Sequence, residues 1–247
     1  SDALITPGAA VSAADVLITP GAAAALFMVA TSLLEAGDHA VIERTNYATN
    51  IETPLVIGAT VDHVDLSFDD GFRLDLDRVA DLVRPGSTRL VSVTTPHNPT
   101  GVSLTTAELT TLVELTDRAG STLLVDETYR DMAAGDPPPV AATLGDHVIS
   151  VSSMSKTYGL PGIRVGWIIS RDRERMETLL AAKEQIVISG SILDEAVAAH
   201  TLAARDRLLP PILESISQHR SAVAGWMSQQ ELVEWVAPDG GVVCFPR

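Results

Sequence analysis

The 247-residue chain holds one cysteine, Cys244. No disulfide can form within it, and a reducing, cytoplasmic compartment is the natural reading, with the thiol as an ordinary buried side chain. Basic residues are scarce: 17 Lys and Arg stand against 32 Asp and Glu, a formal net charge of −15. No basic cluster is present to neutralise phosphates, which argues against nucleic acid and anionic membrane as partners. The opening Ser1-Asp2-Ala3 lacks the basic stretch ahead of an apolar run that begins a secretory signal. The six histidines show no ligand spacing, so no metal site is expected. A long uncharged run occurs at Val16 to Leu34, and Pro20-Gly21 splits it. Val16 to Thr19 reads as a short strand and Ala22 to Glu35 as an Ala/Leu-rich helix stopped at Gly37, so a strand, tight turn and buried helix are expected in place of a membrane span.

Apolar runs at strand length follow: Ala40 to Glu43, Ala59 to Leu66, Arg89 to Thr95, Thr122 to Asp126, Val148 to Met154 and Gly166 to Ser170. Helical patterns separate most of them. Asp75 to Val83 places Leu76, Val79, Leu82 and Val83 on one face, and Thr105-Thr106-Ala107-Glu108 is a capping box opening a helix that ends near Gly120. Strands alternating with helices imply an α/β fold with a mostly parallel, helix-covered sheet of seven strands. From Arg171 the pattern is mostly helical, with Pro210-Pro211 breaking a run that resumes to about Gln230. Leu232 to Arg247 alternates like one or two strands with a turn at Pro238-Asp239-Gly240-Gly241. The expected division is a large domain over residues 1–205 and, over 206–247, a linking helix and the start of an incomplete small domain. Leu-Ile-Thr-Pro-Gly-Ala-Ala occurs at Leu4 to Ala10 and again at Leu17 to Ala23, an offset too short for a repeat architecture. Only the second copy leads into a long apolar helix, so the functional turn is assigned there.

Four motifs fall at the ends of strand-like runs, where open α/β sheets bind ligands: His97-Asn98-Pro99-Thr100-Gly101, Asp126-Glu127-Thr128-Tyr129, Ser153-Met154-Ser155-Lys156 and Gly162-Ile163-Arg164. In this order, over roughly residues 15 to 170, they resemble the large domain of the class I/II aminotransferases, fold type I enzymes of the aspartate-aminotransferase kind that use pyridoxal 5'-phosphate (PLP). The resemblance implies that Lys156 is the Schiff-base lysine and, once freed by substrate, the general base that removes and returns a proton. Its amine would be kept unprotonated by burial beside a cationic cofactor. It implies that Asp126 pairs with the pyridine nitrogen, that Asn98 and Tyr129 hydrogen-bond the phenolate oxygen, and that Tyr47 stacks on the ring. Gly21, Ala22 and Ala23 at a helix start, with Ser153, Ser155 and Arg164, would hold the phosphate. Each residue alone admits a plainer role. Asp126 can bond turn amides, Asn98 can belong to a turn, and Tyr47 and Tyr129 can be packed aromatics.

The resemblance further implies an enzyme that transfers an amino group between an α-amino acid and a 2-oxo acid, working as a homodimer with shared active sites. Ser191 is a candidate cross-subunit contact and equally a helix N-cap. A lyase, decarboxylase or cyclase would use the same residues, and a truncated non-catalytic relative would retain them. No residue matches the family's carboxylate-binding arginine; Arg247 does not fit its motif.

Overall fold

The computed structural model describes residues 11–247, so the Ser1-Asp2-Ala3 terminus and the first Leu-Ile-Thr-Pro-Gly-Ala-Ala copy lie outside the described residues. Seven strands form one sheet: β1 (Val16–Thr19), β2 (His39–Arg44), β3 (Thr60–Asp65), β4 (Thr88–Thr94), β5 (Thr122–Asp126), β6 (Val148–Ser153) and β7 (Gly166–Ile169). Their order across the sheet is β1-β7-β6-β5-β4-β2-β3. Strands β2 to β6 pair in parallel, and β7 runs antiparallel to both β1 and β6.

The central strands are buried on both faces because helices cover both. Alternation along the pleat sends Ala40, Ile42 and Leu124 to one side and Val41, Leu123 and Val125 to the other. The first side packs against α1 (Ala22–Leu33) and α5 (Arg173–Ile186) through Leu26, Met28, Val29 and Leu179. Burial of such side chains contributes on the order of 1.5–3 kcal/mol each. The second side packs against α3 (Leu76–Leu82) and α4 (Thr106–Ala119) through Val79, Leu109, Leu112 and Val113. The Thr105/Glu108 capping box opens α4, and Gly120 closes it in the left-handed region at φ 69°.

Three expectations need correction. Pro210 and Pro211 do not break a helix: α7 runs unbroken over Arg205–Met227, after α6 (Ile192–Ala203). Both prolines sit in its second turn, so the carbonyls they deprive of a partner are those of Asp206 and Arg207 in the exposed first turn. The tail after α7 forms no strand; its ladder rungs among the described residues are one bridge, Ala133 with Gly240, and the reciprocal backbone pair Glu234 with Arg247. Isolated rungs do not extend where no neighbouring strand lies alongside. A helix α2 (Ala48–Ile57) has no counterpart in the sequence reading, because Pro54 lies inside it and masks the pattern. No helix among the described residues is long and apolar enough to cross a membrane.

Candidate functional site

Strand direction brings the four motifs together. The carboxyl ends of β1, β4, β5 and β6 lie at one edge of the sheet, and because β7 is reversed its beginning lies there too: Gly166 pairs with both Thr19 and Ser153. A cleft at this edge is lined by Ala22, Ala23, Tyr47, Asn98, Asp126, Tyr129, Ser153, Ser155, Lys156 and Arg164. Gly21 is the N-cap of α1, immediately beside Ala22. The sequence-derived candidates thus occupy one place.

At one end of the cleft the helix start is open. No side chain caps α1, its first turn carries no acid, and the first intrahelical bond runs from Ala25 N to the Gly21 carbonyl at 3.2 Å. The preceding amides and the helix dipole favour an anion. Arg164, with φ 51°, is held by its Nη1 donating to the Pro161 carbonyl at 2.8 Å and to Ser155 Oγ at 3.4 Å, and by Nη2 donating to the Pro20 carbonyl at 3.2 Å. A Cβ at Gly21 would run into this guanidinium, and a Cβ at Gly166 would stand 2.8 Å from the Ala22 amide nitrogen. The backbone contact requires glycine at 166, and the φ of 87° favours it at 21, where a side chain would displace Arg164. The buried Ser153 hydroxyl receives the Ser155 amide at 3.3 Å.

The centre of the cleft is set by Asp126, the last residue of β5 and buried. Its Oδ1 accepts the Thr128 amide at 3.0 Å and the Thr128 hydroxyl at 2.6 Å, so it does bond the turn, while Oδ2 has no hydrogen-bond partner among the described residues. Burial raises the carboxyl above its ordinary range. Tyr129 is buried, and Lys156 Nζ stands 5.9 Å from its ring centroid. The Tyr129 hydroxyl and the Asn98 amide make no side-chain hydrogen bond to any described residue.

Other expectations change. Lys156 lies three residues beyond the end of β6 and is exposed, because its side chain emerges into the open cleft; protein burial alone does not desolvate it. Tyr47 is no core residue: it is 46% exposed on the cleft wall. Ser191 is the N-cap of α6, accepting the Asp194 amide at 3.3 Å. Cys244 is partly exposed among the loops of the tail.

The turn carrying Asn98 is fastened from both sides. Buried His97 donates through Nε2 to the Thr45 carbonyl at 2.7 Å, so its Nδ1 accepts from the Thr100 hydroxyl at 2.8 Å. Burial pushes the imidazole down to about 4, so it is neutral. From the tail, the Gly240 amide donates to the Gly101 carbonyl at 3.0 Å. Sequence reading passed over Leu26, Thr94, Thr128 and Pro161 as cleft residues. Thr128 lies inside the Asp126-Glu127-Thr128-Tyr129 motif, but Thr94 becomes visible only through strand register, which sets it opposite Asp126.

The profile of the family described as "Aminotransferase class I and II" matches residues 5–247. Capreomycidine synthase of Streptomyces vinaceus is 32% identical over 90% of this chain and 57% of its own length. Arginine–pyruvate transaminase AruH of Pseudomonas aeruginosa is 29% identical over 95% of this chain and 60% of its own. Among solved structures, the PLP-dependent cyclase OrfR is 31% identical with a TM-score of 0.85, covering 95% of this chain and 62% of that one. The chain thus spans about three fifths of the length of each of these proteins.

Proposed function

The chain belongs to the class I and II aminotransferase family, and on that premise we propose that it is an aminotransferase, moving an amino group between an α-amino acid and a 2-oxo acid. The family's cofactor is PLP, and features internal to the cleft fit it. An open helix start beside a guanidinium suits a phosphate. A buried carboxylate with an unpartnered Oδ2 suits a cationic ring nitrogen, and a half-exposed aromatic face suits a flat ring. When bound, the cofactor supplies an electron sink that stabilises negative charge at the substrate Cα.

The proposed roles of the residues follow from their chemistry. Asp126 Oδ2 holds a proton on the ring nitrogen, and Thr128 fixes the carboxylate through Oδ1. Asn98 and Tyr129 are spare donors for the phenolate oxygen. Ala22, Ala23, Ser153, Ser155 and Arg164 bind phosphate. Lys156 Nζ carries the cofactor at rest and takes and returns the α-proton in turnover. One observation carries this reading: the Lys156 amine and the Asp126 carboxylate share a cleft with the open start of α1. The division into a large domain over 1–205 and a linking helix with the beginning of a small domain over 206–247 belongs to the same proposal.

A homodimer with shared sites is also proposed. Ile186, Ile188, Ile192 and Leu193, close to Ser191 in the sequence, are exposed apolar side chains, and Ser191 lines a small pocket together with Arg164. The cyclase OrfR and capreomycidine synthase favour a second reading, other chemistry on an amino acid at the same cleft. A single-turnover assay separates the two. An aminotransferase given an amino acid and no acceptor releases one equivalent of 2-oxo acid per site and stops; a cyclase or lyase continues without acceptor.

A further inference from the structure

Behind the Tyr47 wall of the cleft lies an acid that the proposed roles leave unused. Glu43, near the end of β2, is 3% exposed. Its Oε1 accepts two hydrogen bonds, one from the Thr94 amide and one from Asn46 Nδ2, the latter at 3.0 Å. The second of these orients Asn46 so that its Oδ1 collects the Tyr47 amide at 2.6 Å, the Thr94 hydroxyl at 3.1 Å and Asn50 Nδ2 at 3.3 Å. Both ends of the relay reach the cleft, since Tyr47 and Thr94 line it. Resting on the proposed function, we infer that Glu43 is a positioning residue for the cofactor: through Asn46 and Thr94 it fixes where the Tyr47 ring stands.

The charges around Glu43 give this role a signature. The nearest cationic candidate, His97, lies 3.7 Å away but spends its Nε2 proton on the Thr45 carbonyl and is neutral. Asp126 on β5 adds repulsion. Arg44, next along β2, is turned to solvent and bonded to Asp65 of β3 at 2.5 and 2.9 Å. Burial therefore pushes Glu43 up to about 8, and it works as a neutral acid at pH 7. Above pH 8 it ionises with no cation to receive the charge.

The test titrates the full chain with PLP, reading the bound cofactor's absorbance and circular dichroism, in wild type, Glu43→Gln, Glu43→Leu, Asn46→Ala and the Leu/Ala double variant. Gln keeps the acceptor oxygen and should stay within about twofold of wild type at pH 7. Leu removes both acceptor contacts and should weaken binding about tenfold, the scale of one to two hydrogen bonds. Adding Asn46→Ala to it should cost little more, because the two residues act through one relay. Between pH 7 and 9 wild type should lose affinity relative to Glu43→Gln; ionisations of Lys156 and of the phosphate are common to both and cancel in the ratio. Equal affinity in Glu43→Leu, additive losses, or the same pH dependence in wild type and Glu43→Gln would each overturn the inference. If Glu43→Leu does not fold, the Gln comparison and Asn46→Ala still decide it, an unchanged affinity in Asn46→Ala counting against the relay. Failure of wild type itself to bind PLP would instead overturn the proposed function.

Discussion

The Arg164 guanidinium occupies the space into which a side chain at Gly21 would project. Two residues 143 positions apart in the sequence are thereby made interdependent. Gly21 also holds φ 87°, a conformation costly for any L side chain.

Gly21→Ala should therefore displace Arg164 and the α1 start together. Backbone strain of roughly 1–2 kcal/mol alone corresponds to about a tenfold loss. PLP affinity should fall by at least about that factor, while Arg164→Lys, which keeps the charge but loses the fork, should weaken it less. Equilibrium titration with PLP and with inorganic phosphate as competitor measures both.

Asp126→Ala should be far worse than Tyr129→Phe. Leaving a buried charge without its partner costs roughly 3–5 kcal/mol, against about 0.5–1.5 kcal/mol for one hydroxyl hydrogen bond. The kinetic losses should be on the order of hundreds-fold or more against about tenfold. Equal penalties in the single-turnover assay would show that Asp126 does not face the ring nitrogen.

Stability of the cofactor-free chain should fall as pH rises from about 5 to 8. Glu43 and Glu127 are raised by burial to about 8 and about 7, so the folded state binds more protons than the unfolded chain across that window. Their contribution is complete below about 4.5 and lost through the folded values. His97, lowered to about 4, acts in the opposite sense only between about 4 and 6.5, where protonation of the unfolded chain removes stability as pH falls. Two raised acids outweigh one lowered imidazole, so thermal midpoints should decline from about pH 5 to about 8, and Glu43→Gln should flatten that decline.

Asp131→Ala should loosen the start of α7. The Asp131 carboxylate receives Arg205 Nη2 at 3.1 Å, Arg130 Nη1 at 3.4 Å and the Tyr158 hydroxyl at 2.9 Å, tying α7 to the loop after Lys156. Loss of a charged acceptor with several donors costs about 1.5–3 kcal/mol, and Tyr158→Phe about 1 kcal/mol. Denaturant midpoints at constant slope check the order.

Strands and helices with a clean apolar period were legible in the sequence: the seven strands, and helices such as α1 and α4 with its capping box, follow from residue pattern alone. Elements carrying an internal proline were not. Pro54 concealed α2, and Pro210-Pro211 suggested a break where α7 continues, because the carbonyls they leave unpaired, those of Asp206 and Arg207, lie in the exposed first turn of the helix. The candidate site was legible as motifs since each lies next to a strand end. What joins them was not: Gly166 matters through its closeness to Ala22, Thr94 through register with Asp126, and Glu43 through a relay across two strands. These are pairings between distant segments, which no single stretch of sequence contains.

The most direct test is chemical. Protein incubated with PLP, reduced with borohydride and digested should yield one pyridoxyl-labelled peptide with the label on Lys156. Label on Lys183, or none after incubation with PLP, would contradict the account.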